Sequence, residues 1–151
     1  PMLQTLQTKG ELTVLSRTPQ FIRAQFSGEL RVDFVHDVPF RVGVPRAFGS
    51  WRVDSLDNIT LNKLCAILGR LDVKDYVDLY FLLKDHPGEV LKLLEDAKRK
   101  DGSMDPFIWS RLIADVKTFR VLPRMILPIT LEELVAFYEG LRKRILQHLK
   151  P

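Results

Sequence analysis

Hydrophobic patterning divides the chain into two parts. Up to about residue 35 apolar positions tend to alternate with polar ones, whereas beyond residue 59 they recur at helical spacing. Glu11 to Arg17, Phe21 to Phe26 and Glu29 to Val35 read as three short strands. Thr18-Pro19 separates the first two, and Ser27-Gly28 turns the second into the third, which predicts an antiparallel meander. In the third strand Leu30, Val32 and Phe34 share one face, and Arg31, Asp33 and Val35 share the other. The polar residues 1–9 are expected to fray.

Val44 to Asp54, with Pro45, Gly49 and Trp51, is expected as a loop from the sheet to the helices, and Ser55 or Asp57 offers the first N-cap. Ile59 to Leu83 then reads as two helices joined by a tight turn. The first carries Leu61, Leu64, Cys65 and Leu68 on one face. Lys63 and Arg70, seven residues and two turns apart, share the opposite face with only small Ala66 between them. In the second, Tyr76, Leu79, Tyr80 and Leu83 form a stripe that Val77, Phe81 and Leu82 extend nearly all round. Asp78 falls inside this apolar run, and a buried carboxylate is costly unless a cation or several donors satisfy it. Arg70, Lys63 and Lys74 are the nearest candidates. On spacing alone the pattern reads as a structural ion pair locking two helices, with Asp75 a helix-start residue favoured by the dipole.

Asp85-His86-Pro87-Gly88 stops the second helix, and Glu89 to Lys100 forms an amphipathic third with Val90, Leu91, Leu93 and Leu94 inward. Asp105-Pro106 opens a fourth in the order of cap followed by proline, running through Trp109, Leu112, Ile113 and Val116 towards Phe119. Val121 to Pro128 is an extended connector. Thr130 and Glu133 make a capping-box start for a last helix reaching about Leu149. The fold class is therefore α+β: a small antiparallel N-terminal sheet followed by a bundle of about five helices. Residues 1–54 supply the sheet portion and 55–151 the helical portion of one compact domain.

Composition narrows the function classes. The 151 residues are 46% hydrophobic and 28% charged, ordinary for a globular chain, and no apolar run approaches the ~20 residues that span a bilayer. No basic-then-apolar leader opens the chain, so a cytoplasmic location is expected. The single cysteine, Cys65, excludes an internal disulfide and a cysteine zinc site. The three histidines are scattered, and His36-Asp37 and His86 read as turn residues. A net charge of +4 is compatible with a nucleotide or RNA partner, although the basic face of the last helix, with Arg142, Lys143 and Lys150, reads first as a solvated surface. Taken by itself, Asp33 reads as a solvent-facing residue on a half-exposed strand before it reads as a metal ligand.

Asn62-Lys63-Leu64-Cys65-Ala66, Gly69-Arg70 and Val73-Lys74-Asp75-Tyr76-Val77-Asp78-Leu79-Tyr80-Phe81-Leu82-Leu83 together resemble the signature of the AbiEii/AbiGii-type toxin nucleotidyltransferases, within the polymerase-beta-like superfamily. Leu30-Arg31-Val32-Asp33-Phe34-Val35 resembles the family strand that carries a late carboxylate of the metal site. The resemblance covers residues 10–140 and implies a partial nucleotidyltransferase-like fold. It also implies transfer of a nucleotide from an NTP, with Mg2+, to an RNA (tRNA) or protein acceptor, and a cognate antitoxin as partner. On this basis Asp33 would complete the metal site, and Lys63 and Lys74 would meet phosphate oxygens. Asp75 would act near the transferring group or orient Lys63. Arg70, itself a candidate nucleotide-binding residue, would pair with Asp78 to fix the two helices.

The family's opening Gly-Gly-Ser/Thr and Asp-x-Asp motifs do not occur in this chain. The sequence reads as starting after them, as in a truncated gene product, a degenerate paralogue or one half of a split protein. One remaining aspartate can hardly hold magnesium alone, so a chain with little or no activity is expected. The alternative is a non-catalytic binding or dimerisation domain that keeps the fold, with a homodimer formed through an exposed sheet edge.

Overall fold

The computed structural model describes residues 12–37 and 39–150. The expected fraying of residues 1–9 and the strand start at Glu11 lie outside them. The chain divides into two compact units, Pro1–Pro39 and Phe40–Pro151.

The first unit is the predicted meander. β1 (Leu12–Arg17), β2 (Phe21–Phe26) and β3 (Leu30–Val35) pair antiparallel in the order β1-β2-β3. Ser27 and Gly28 adopt φ of 49° and 75°, the left-handed backbone that primed hairpin turns require. The register places Arg23 directly opposite Asp33, and Val32 and Phe34 are half-buried while Leu30 and Val35 stay exposed.

The second unit opens with a hairpin where a loop is expected. β4 (Arg46–Phe48) and β5 (Trp51–Val53) pair antiparallel across Gly49-Ser50. Gly49 at φ 59° takes the first turn position that a two-residue hairpin favours. With three residues per strand, the hydrophobic alternation is too brief to stand out beside Pro45 and Gly43.

Five α-helices follow among the described residues: α1 (Leu56–Gly69), α2 (Val73–Leu83), α3 (Val90–Lys100), α4 (Pro106–Leu112) and α5 (Leu131–His148). The α+β class is as the patterning predicts. Ser55 caps α1 by accepting from the Asn58 backbone N–H, and Asp105 caps α4 ahead of Pro106. Thr130 and Glu133 form the reciprocal capping box of α5, with hydrogen bonds of 2.8 and 3.1 Å. The fourth helix tightens to 3-10 geometry over Ile113–Thr118 instead of running on as α-helix.

The helical core is tied by polar atoms of buried aromatics. The Trp109 indole N–H donates to the Leu64 carbonyl at 3.1 Å. The Tyr138 hydroxyl donates to the Tyr76 carbonyl at 2.8 Å, and the Tyr76 hydroxyl donates to the Leu112 carbonyl at 3.0 Å. Tyr76 also packs 5.0 Å from the rings of both Phe119 and Tyr138. These contacts bind α2 to α4 and α5 and fix residues 75–77 inside the fold. Leu94→Ala, at a fully buried position, is expected to cost about 2–5 kcal/mol. Thr130→Ala is expected to cost about 1 kcal/mol through the lost cap. Urea unfolding midpoints of the two variants check both values.

Candidate functional site

The motif residues converge where α1 meets α2. Lys63 lies in mid-α1, and Arg70 stands just past its end in extended backbone, with its own N–H still donating to the Ala66 carbonyl. That change of direction lets the guanidinium turn back onto α2. Asp72 caps α2 by accepting from the Lys74 N–H at 2.9 Å, which places Asp75 in the first turn, where the helix dipole favours a carboxylate.

Asp75 is the centre of the arrangement, with only 1% of it exposed. Arg70 grips it with two bonds, Nε to Oδ2 at 2.7 Å and Nη2 to Oδ1 at 3.1 Å, and Lys63 Nζ donates to Oδ1 at 3.0 Å. Lys63 Nζ also reaches Asp78 Oδ2 at 2.6 Å. Two cations and two carboxylates thus form one charge-balanced network.

Two sequence expectations change here. The buried carboxylate is Asp75, whereas Asp78 is half-exposed. Arg70 pairs with Asp75 and not with Asp78, because Asp75 lies one turn closer to the α1–α2 junction. The Lys63–Arg70 face of α1 carries these ion pairs to α2, with Lys63 partly buried and Arg70 largely exposed.

Burial pushes the Asp75 carboxyl up, but the hydrogen bonds and charges of Arg70 and Lys63 outweigh it and hold its pKa below the ordinary value. Burial likewise pushes the Lys63 amine down. The carboxylates of Asp78 and Asp75 reverse this and keep its pKa above the ordinary one, so Lys63 is a permanent cation at neutral pH.

Asp33 belongs to the first unit. Arg23 Nε donates to its Oδ1 at 2.8 Å and Nη2 to its Oδ2 at 2.9 Å, so one guanidinium occupies both oxygens. The His36 backbone N–H donates to the Gln20 carbonyl at 2.8 Å, a cross-strand bond that continues the β2–β3 register one pair past Phe21 and Val35, where the sequence suggests a turn.

The carboxylates do not fit a magnesium site. Asp33 and Asp75 have all their oxygens engaged by cations, Asp78 gives one to Lys63, and no group of three candidate ligands gathers among the described residues.

Lys74 lines a groove of about 430 Å³ beside this network. Its lining joins Lys74, Val77, Asp78 and Phe81 of α2 with Pro123–Leu127. The stretch read as a plain connector therefore forms one wall, and it contributes a cation, Arg124, that the sequence reading missed. The run Met125-Ile126-Leu127 between two prolines was the available signal, since a purely solvated linker has little use for three large apolar side chains.

The family model described as Nucleotidyl transferase AbiEii toxin, Type IV TA system, matches residues 13–148. The chain belongs to this family of toxin nucleotidyltransferases, and membership implies a nucleotide substrate and an antitoxin partner. No curated protein and no solved structure matches the chain. No helix among the described residues is long and apolar enough to cross a membrane.

A depressed carboxyl pKa contributes stability above the unfolded value of about 3.9, which is lost as pH falls through the lower folded value. A raised amine pKa contributes stability below about 10.4, lost as pH rises through the higher folded value. Asp75→Asn is expected to lower stability at neutral pH by about 2–4 kcal/mol, somewhat under the usual figure for breaking a buried pair because Arg70 is largely exposed. Urea unfolding across acid pH should show the gap to wild type closing below about pH 4.

Proposed function

We propose that the helical unit binds the triphosphate of a nucleoside triphosphate beside the α1–α2 junction. Lys63 and Lys74 act as cations on the phosphate oxygens, and Asp75, clamped by Arg70, orients Lys63. The observation that carries this reading is the convergence of Lys63, Arg70, Asp75 and Asp78 into one ion-paired network, with Lys74 lining the adjoining groove. The toxin–antitoxin family supports the nucleotide as ligand. In this reading the acceptor is an RNA or protein hydroxyl, the partner is a cognate antitoxin, and the compartment is the cytoplasm. In this reading the chain by itself binds nucleotide and transfers it weakly or not at all.

A second reading, a binding or dimerising domain without chemistry, is favoured by one feature of the sheet. β1 and β3 each pair on one side only among the described residues, which leaves edges able to accept a further strand. Sedimentation that shows a monomer at all concentrations would remove the homodimer.

Titration calorimetry with each of the four triphosphates and magnesium tests the nucleotide reading. Wild type is expected to bind at least one, and Lys63→Ala, verified as folded by its thermal melt, to bind about ten- to a hundredfold more weakly through loss of a charge-assisted contact. Absence of binding to any triphosphate would sink the proposal.

A further inference from the structure

The groove between α2 and Pro123–Leu127 has a polarity that the α1–α2 network does not explain. Lys74, Val77, Asp78 and Phe81 lie at i, i+3, i+4 and i+7, so they form one face of α2. Seven residues at helical rise separate Lys74 from Phe81 by about 10 Å. The face is therefore cationic near the start of α2 and aromatic near its end. The opposite wall adds Pro123, Met125, Ile126 and Leu127 as apolar surface and Arg124 as a second cation.

Several side chains in this groove are left without internal partners. Lys74 and Arg124 are exposed, and neither has a carboxylate partner among the described residues. Ile126 is fully exposed and Leu127 is 59% exposed, although both are large aliphatic side chains. Asp78 gives Oδ2 to Lys63 and keeps a second oxygen as a hydrogen-bond acceptor. The groove volume falls within the range of about 300–1,000 Å³ typical of small-ligand sites.

We infer that this groove is the subsite that seats the nucleotide along α2, with Lys74 and Arg124 gripping the phosphates and Phe81, Met125 and Ile126 covering the base. The inference rests on the nucleotide reading above and extends it to residues outside the family pattern. Charge complementarity selects the occupant. Because the Lys63–Arg70–Asp75–Asp78 network is balanced internally, Lys74 and Arg124 set the sign of the groove, and that sign calls for an anion. The apolar stretch beside them calls for a ligand with a planar apolar body attached to that anion, which a nucleotide supplies and inorganic phosphate does not.

The test titrates the full chain and three variants, Arg124→Ala, Phe81→Leu and Lys63→Ala, with the triphosphate that wild type binds best, and separately with inorganic triphosphate. Arg124→Ala is expected to melt like wild type and to weaken nucleotide binding about tenfold or more. Phe81→Leu should weaken binding of the nucleotide but not of inorganic triphosphate. Photolabelling with an azido-adenosine triphosphate, mapped by mass spectrometry, should mark Pro123–Leu127, and it does not depend on any variant folding. Wild-type affinity in both groove variants, or a label confined to other segments, overturns the groove while leaving the role of Lys63 standing. Loss of binding in Arg124→Ala but not in Lys63→Ala would instead overturn that role and keep the groove. If wild type binds no nucleotide, both fall.

Discussion

Asp75 sets the terms on which α1 and α2 can pack. Tyr76 and Val77 must be inside, since Tyr76 is bonded to α4 and packed edge-on against Phe119 and at a tilt against Tyr138, and this carries the preceding carboxylate inside with them. A carboxylate withdrawn from water is tolerable only when donors replace the lost hydration. Three N–H groups from Lys63 and Arg70 do so, and they come from an element that ends one short turn earlier in the chain. The extended backbone at Arg70, the Asp72 cap and the position of Lys63 two turns back from Arg70 are all consequences of meeting that requirement.

Stability alone is a poor reason for such a network. Replacing a buried ion pair with apolar side chains of similar volume is often neutral or favourable, because the pair must first be dehydrated. That comparison applies to the buried Asp75 and the partly buried Lys63, whereas Arg70 is largely exposed. Apolar side chains would not hold an ammonium at a fixed point beside an open groove, kept protonated by two carboxylates. On the proposed nucleotide reading, the network places charge as well as joining the two helices.

Much of this was legible in the sequence, for identifiable reasons. The strands, the Thr130–Glu133 box, the Asp105-Pro106 start and the shared face of Lys63 and Arg70 all follow from local spacing and capping chemistry, which involve neighbours in the chain. The partner of Arg70 did not follow. Asp75 and Asp78 lie one turn apart on α2, and choosing between them depends on how the helix is rotated. That rotation is set by Tyr76 and its contacts with residues 36 and 62 positions away. The β4–β5 hairpin escaped because three residues per strand carry too little alternation. Arg124 escaped because a groove wall made of irregular chain has no periodicity to read.

Family membership and the chemistry of the described carboxylates then have to be reconciled, and the cations paired with each carboxylate do it. A divalent cation needs several free hard oxygens at one point. Here Arg23 engages both oxygens of Asp33, Lys63 and Arg70 engage both of Asp75, and Asp78 shares one with Lys63. On the proposed nucleotide reading, the residues that match the family act through their cations, which the carboxylates hold in place. The aspartates fix where the positive charge stands, and Lys74 and Arg124 are the cations not tied up in that task. A unit built in this way is suited to holding an anionic substrate in place, and the groove along α2 is where its unbalanced charge and its uncovered apolar surface coincide.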